Sequence, residues 1–402
     1  MKIFIKYTGL ILLLALIAGA CTKNDPAIEQ PDYFIKFFGS SLTDVGNDVL
    51  QVSNNGYLIV GSSMNVTRET DVVLIKTDAN GNEIWSKNYG DSLNDRGYCV
   101  QKTIDGGYII VGTKIEPEEK ENVYLIKTDY NGNLLWEKSY GNSSSEEGIN
   151  VKQTSDGGFI IVGYSDEENS GNGNPEGEND ILLIKTSQSG DSLWSKRYGG
   201  ALSETGVDVC QKDDEGYVVL GTTFSFAEPG QEGSNIVMLE TNKSGLLIDK
   251  FTFGALGNET AASLVKLADG YLIAGVSLDP VDLDADVYCV RTGQNIHNVT
   301  WEKKYGGEKA EYCEKIIFTS GENFVIVGAT ESFGEGNADA YIIEIDASGN
   351  EIKSNYFGGT GDEKGNSVAE SSLGGFVIVG SSLTEENSMI TLIKTNSDFE
   401  LK

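Results

Sequence analysis

Seven times along the chain a short apolar segment bounded by glycine returns. At Gly106–Gly112 it reads GGYIIVG, and related copies end at Gly61, Gly112, Gly163, Gly221, Gly275, Gly328 and Gly380. The spacing stays between 51 and 58 residues. A fixed period of this size marks a stack of like units, none of which can bury its apolar face alone. A second element follows each copy: DVVLIKTD from Asp71, NVYLIKTD from Asn122, DILLIKT from Asp180, NIVMLET from Asn235, DVYCVRT from Asp286, DAYIIEID from Asp339 and SMITLIKT from Ser388. A third, such as NEIWSKNYG from Asn82, NLLWEKSYG from Asn133 and DSLWSKRYG from Asp191, has looser copies ending at Gly254, Gly306 and Gly358. After the seventh copy the third element is missing. It stands instead before the first, as DYFIKFFG at Asp32–Gly39, with Phe34 in the place of Trp85, Lys36 in that of Lys87 and Phe38 in that of Tyr89.

Each unit reads as four strands. In the second they fall at about Gly97–Thr103, Gly107–Val111, Val123–Thr128 and Leu134–Tyr140. The segments are rich in Val, Ile, Tyr, Phe and Thr, and Gly, Asn and Asp turns separate them. The Tyr-Ile-Ile-Val strand does not alternate, so it is apolar on both faces and needs cover on both. A sheet held between two similar sheets meets that need, and four-stranded units of about 50 residues repeated radially make a β-propeller. The permuted frame points the same way. The strand near Tyr33 supplies the outermost strand of a seventh blade whose other three strands come from about Gly365–Thr395, closing a ring. A linear solenoid would instead carry polar capping repeats. The expected fold is therefore an all-β, seven-bladed propeller over 32–402. DANG at Asp78–Gly81, DYNG at Asp129–Gly132 and DASG at Asp346–Gly349 are expected to be hairpin turns with a left-handed Gly, not calcium loops.

The repeat string DGGYIIVG…DVYLIKTDANGNEIW…YGG resembles the repeat propellers of exported bacterial proteins of the Bacteroidetes type, from about Asp32 to Thr395. That resemblance implies the fold and a place in the cell envelope. It implies no activity, because propellers as a class host many unrelated functions.

The N-terminus supports export. Lys2 and Lys6 precede an apolar run, Leu10–Ala18, and the small residues Ala18, Gly19 and Ala20 stand before Cys21. This is the order of a secretory signal, and the apolar run is shorter than the ~20 residues a spanning helix needs. Ala-Gly-Ala-Cys resembles a bacterial lipobox, so 1–20 is expected to be a lipoprotein signal peptide, Cys21 the lipid attachment site and 21–31 a polar tether. The expected location is the outer membrane of the cell envelope, facing either side. Cys99, Cys210, Cys289 and Cys313 fall in different repeats at different positions, which favours free buried thiols over disulfides. With 61 Asp+Glu against 30 Lys+Arg, the net charge of −31 excludes a nucleic-acid partner.

Little in the sequence carries chemistry. An acidic residue recurs two positions before the small residue of each innermost strand: Asp44, Asp95, Glu146, Glu204, Glu259, Glu311 and Glu363. A cation-binding ring would use such a set, but an Asx-type role in the turn between blades explains it better. Seven alike carboxyls also make a poor acid–base pair, which needs two unlike environments. Trp85, Trp136, Trp194 and Trp301 share a slot with Phe34, Asp249 and Lys353, so packing between blades fits better than sugar stacking. Asp282, Asp284 and Asp286 alternate as calcium ligands sometimes do, although Asp286 also sits at the ordinary strand opening. His297, the single histidine, lies in a polar turn and is expected to be solvated. No catalytic, cofactor or resident-metal motif is present. The loops Tyr164–Asn179 and Thr223–Ser234 vary most, and variable loops on a rigid scaffold favour binding. The expectation is a lipid-anchored, non-catalytic platform for a protein or glycan. The alternatives are a structural helper in outer-membrane protein assembly and a carbohydrate-active enzyme using two loop carboxylates.

Overall fold

The computed structural model describes residues 33–401 apart from 40–41, 92, 118–119, 142–144, 167–178, 227–232, 255–256, 280, 282–283 and 384–386. Cys21, the expected signal peptide and the expected tether lie outside the described residues, as does Asp282. Asp32–Lys402 is one compact unit.

The described chain forms seven four-stranded antiparallel sheets, numbered here as blades I to VII in chain order of their innermost strands. The fold is a seven-bladed β-propeller. In blade II the strands are Arg96–Lys102, Tyr108–Ile115, Glu121–Thr128 and Leu134–Tyr140, in that order from the axis outwards. The second strand runs past the expected Val111 to Ile115. The third begins at Glu121, and the two pair through Thr113–Val123, Lys114–Asn122 and Ile115–Glu121, so backbone pairing extends the ladder beyond its apolar stretch.

Blade VII closes the ring as the permuted frame predicts. Asp362–Glu370, Phe376–Leu383 and Ser388–Lys394 are its inner strands, and Phe34–Phe38 is the fourth. Phe34 pairs with Lys394 and Phe38 with Ile390. The joint to blade I is tied again at its inner edge. Ser367 donates to Asp48 at 2.6 Å, Asn366 donates to the Gly46 carbonyl at 2.8 Å, and Gln51 exchanges hydrogen bonds with Ser372 at 2.8 and 2.9 Å.

The core is seven cores, one in each gap between blades. Leu58 and Val60 face blade II beside Val100, Tyr108 and Ile110, while Tyr57 and Ile59 of the same strand face blade VII beside Val377, Val379 and Leu392. A strand with alternate residues in two different cores has no polar face, which explains its unbroken apolar run. The remaining gaps repeat the arrangement.

The C-terminal residues finish the repeat. In Asn396–Glu400 the Asn396 side chain accepts from the backbone N–H groups of Asp398 and Glu400 at 2.9 and 2.8 Å, as Asp78 does in the DANG turn at 2.8 Å each. Phe399 takes the glycine position at φ 62°. Its ring is fully buried, edge-on to Phe376 at 5.4 Å and beneath the Lys353 ammonium at 4.7 Å. Phe399→Ala empties a core site and should cost about 3–5 kcal/mol, whereas Phe37→Ala, at the exposed outer edge, should change stability by less than about 0.5 kcal/mol. Paired thermal melts check this.

Candidate functional site

The recurrent acids lie at the blade joints and do not ring the channel. Asp44, Asp95, Glu146, Glu204, Glu259 and Glu311 are buried. Four of the set accept a backbone N–H from the turn four residues earlier: Asp95 from Asp91, Glu204 from Gly200, Glu311 from Gly307 and Glu363 from Gly359, at 2.6–3.0 Å. The other carboxylate oxygen is held by the end of the second strand, as by Thr223 on Glu204 at 2.8 Å, Thr330 on Glu311 at 2.7 Å and Ser382 on Glu363 at 2.7 Å. The turn reading therefore holds. Asp286, a proposed calcium ligand, sits at one of these joints. A Cβ added to Gly306 would collide with both Asp286 and Glu311, so only glycine fits where the two carboxyls meet. Among the described residues no three carboxylate, Cys or His side chains cluster as a metal site.

The outer-strand tryptophans are a clasp between blades. Trp85, Trp136, Trp194 and Trp301 lie against Gly132, Gly190, Gly245 and Gly349 of the next blade's outer turn. Those glycines have φ between 73° and 79°, as the turn motif requires. Tyr89, Tyr140, Tyr198 and Tyr305 donate to the carbonyls of the same glycines at 2.5–2.7 Å. Lys87, Lys138 and Lys303 bond the turn's last side chain at 2.6–3.0 Å. The Trp-x-Lys-x-Tyr string thus grips one turn with all three side chains. Where the tryptophan is lost, the neighbour compensates. Asp249 meets His297 at 2.9 Å, and Lys353 is covered by Phe399. His297 is exposed, as expected, and in addition is bonded to Asp249 and packed edge-on to Phe251 at 4.7 Å.

The four cysteines are free, as expected. Burial, with the nearby Asp48 carboxylate, pushes Cys99 up to about 11, and burial with Asp208 pushes Cys210 up to about 12, so neither is a thiolate nucleophile at neutral pH.

The axial channel remains, and sequence reasoning missed it. A cavity of about 540 Å³ is lined by the innermost strands of all seven blades. It lies near the strand starts, on the side of the loops between blades and of the variable loops, whose central residues fall outside the described set. Every innermost strand carries a β-bulge here, just after its small residue. Bulges re-aim side chains. The seven residues that follow the bulges, one per blade, are Asp48, Cys99, Asn150, Asp208, Ser263, Lys315 and Ser367. They could have been found by aligning the repeats two positions past the small residue, where the repeat stops being uniform.

This ring is cross-braced. Asp48 accepts from Ser367 at 2.6 Å and from the Val100 N–H at 3.0 Å. Asp208 accepts from Asn150 at 3.1 Å, from Ser263 at 3.4 Å and from the Leu264 N–H at 2.9 Å, with Lys152 at 3.9 Å. Lys315, in blade VI, stands two blades from Asp208 and two from Asp48. Burial opposes its charge, but the Asp208 and Asp48 carboxylates more than offset that and hold the ammonium above its ordinary value. Nearer the mouth are Asn47, Tyr98, Tyr312, Asn366 and the Lys364–Glu314 ion pair at 2.5 Å.

Beside the mouth, Glu147 acts on Glu121. Burial and the Glu147 carboxylate push Glu121 up to about 7 against the pull of Arg96, which lies 3.4 Å away. Tyr98 donates to Glu147 at 3.2 Å.

Neither a protein-family profile nor a curated protein sequence matches the chain. Solved structures do match. The β-propeller domain of the Trilobed protease from Pyrococcus furiosus, which has an open velcro topology, is 12% identical with a TM-score of 0.51, covering 91% of this chain and 99% of that one. The Pyrococcus horikoshii acylaminoacyl peptidase is 12% identical with a TM-score of 0.50, covering 87% and 51%. An acylaminoacyl peptidase bound to Z-Gly-Gly-Phe-chloromethyl ketone is 10% identical with a TM-score of 0.52, covering 88% and 52%. This chain spans about half the length of those two peptidases. At such identities the likeness shows the propeller fold alone.

The joint carboxyls make a pH prediction. Burial pushes Asp95 up to about 6, and burial with the Glu363 charge does the same to Asp339. Both lie above the unfolded value near 3.9. The folded state therefore takes up these protons first, and stability is lost as pH rises through about 6. Thermal melts should be higher at pH 5 than at pH 7.5. Asn already fills the Asp339 position in blades II and IV, as Asn122 and Asn235. Asp339→Asn should raise the melting temperature at pH 7.5 and leave it unchanged at pH 4.

Proposed function

We propose that this chain is a non-catalytic binding platform held at the bacterial cell envelope by a lipid on Cys21. One observation carries the binding role: the cavity at the channel mouth draws lining residues from all seven innermost strands. Its volume falls in the range of small-molecule sites, about 300–1,000 Å³. The surrounding blades are built from repeated structural contacts, and at this level the repeat gives way to residues that differ from blade to blade. Rigid strands position them, and the second strands that lead into the longest loops end on the same side. A site on a rigid frame with variable loops beside it suits recognition.

The anchor rests on the order Lys2, Lys6, Leu10–Ala18 and Ala18-Gly-Ala-Cys21, a basic start, an apolar run and small residues before a cysteine. No helix among the described residues is long and apolar enough to cross a membrane.

Two experiments test the two halves. Wild-type protein should label with a fatty-acid analogue and sediment with membranes, and Cys21→Ser should do neither; equal labelling of the variant removes the anchor. For the platform, the Asp32–Lys402 unit is immobilised and offered separated envelope polysaccharide and membrane-protein fractions. Wild type should retain a component that Ala262→Trp, which fills the channel wall, does not retain. Equal retention by a folded Ala262→Trp variant places recognition elsewhere.

A further inference from the structure

Resting on that reading, we infer that the channel mouth takes the end of a neutral, hydroxyl-rich carbohydrate. Charge is the first argument. On a chain of net charge −31, the charged residues lining the cavity are Asp48, Glu314, Lys315 and Lys364, two of each sign. Three are already committed: Glu314 and Lys364 pair at 2.5 Å, and Asp48 is bonded by Ser367 and two backbone N–H groups. Lys315 has no hydrogen bond or ion pair among the described residues, but it stands in the fields of the Asp208 and Asp48 carboxylates. A cationic ligand finds no spare carboxylate here and would lose its hydration without a partner, which is costly. An anionic ligand would meet Lys315 only in competition with those two carboxylates.

Hydrogen-bonding polarity is the second argument. Asn47 donates its Nδ2 to the Gly97 carbonyl at 2.7 Å, and Asn366 donates to the Gly46 carbonyl at 2.8 Å. With the nitrogens engaged across neighbouring blades, the two Oδ1 atoms accept nothing from the described residues. They are held in place as acceptors on adjacent blades. Hydroxyl groups supply the donors they need, and a hydroxyl can accept in return from other groups at the rim.

Shape is the third. Tyr98 and Tyr312 line the cavity, and a tyrosine combines an apolar ring with a polar tip. A sugar ring has the matching character, with C–H faces and hydroxyl edges. An extended peptide is the main rival, and the bulges speak against it. Strand addition needs an unbroken ladder edge, and all seven innermost strands are bulged at this depth.

The test is calorimetry of the Asp32–Lys402 unit against a panel of neutral oligosaccharides: glucans, mannans, xylans and chitin oligomers. Sulfated and uronate-rich oligosaccharides and a set of uncharged peptides are run alongside. At least one neutral saccharide should bind, with affinity changing less than about twofold between 50 and 500 mM NaCl, because no charge pairing is screened. Tyr312→Ala and Asn366→Ala should each weaken it about tenfold, the scale of one lost hydrogen bond or ring contact. The melting temperature of Tyr312→Ala should stay near wild type; that of Asn366→Ala, which loses one tie between blades VII and I, should fall while the variant remains folded. Glu314→Gln, which leaves Lys364 unpaired, should confer measurable binding of the sulfated members. Binding of no neutral saccharide, binding confined to anionic members or peptides, or full affinity in folded Tyr312→Ala and Asn366→Ala overturns the inference. If the channel-filling variant still abolishes capture of an envelope component, the platform stands and only the ligand class is wrong.

Discussion

A four-stranded sheet whose second strand is apolar on both faces cannot exist alone in water. Leu58 and Val60 turn to one neighbour and Tyr57 and Ile59 to the other, and each face is left dry only when both neighbours are present. Every blade has this requirement, so the array must have no ends. The pairing of Phe34–Phe38 with Ser388–Lys394 removes them, and the core between blades VII and I is assembled from residues far apart in the chain. The barrier to forming such a closure is entropic, since nearly the whole chain must be looped before this core can form.

The joints show how a repeat tolerates divergence. The Trp, Lys and Tyr of one outer strand hold the next blade's turn, and a buried acid holds the inter-blade turn at the other face. These contacts are local to a joint, so one joint can change without disturbing the rest. Asp249 with His297, and Lys353 with Phe399, are two joints rebuilt in this way. The cost of the design appears in its acids. Several blades bring two carboxyls to either side of one glycine, and burial there resists ionisation of Asp95 and Asp339.

Symmetry ends at the axis. Seven side chains at equivalent positions would be identical in a perfect repeat. Here they are two aspartates, two serines, an asparagine, a cysteine and a lysine. Lys315 needs both Asp48 and Asp208, which in turn are braced by Ser367, Ser263 and Asn150. A buried network of this kind is tolerable only when its members are satisfied together. It forms the floor of the cavity, below a polar, tyrosine-bearing mouth.

The sequence by itself determined the number of blades, their strands and the closure, because each follows from a period, an apolar pattern and a displaced copy of one motif. It also separated the turn acids and tryptophans from catalytic candidates, since residues repeated at every joint answer to the repeat. Only the tertiary structure decided the cavity. Asp48, Asp208 and Lys315 are far apart in the chain and conform to no motif, and neither their meeting nor the bulges that aim them at the axis is encoded in local spacing. The Asp249 contact of His297 was hidden for the same reason: Asp249 belongs to another blade, and contacts across a gap between sheets are set by how the sheets stack.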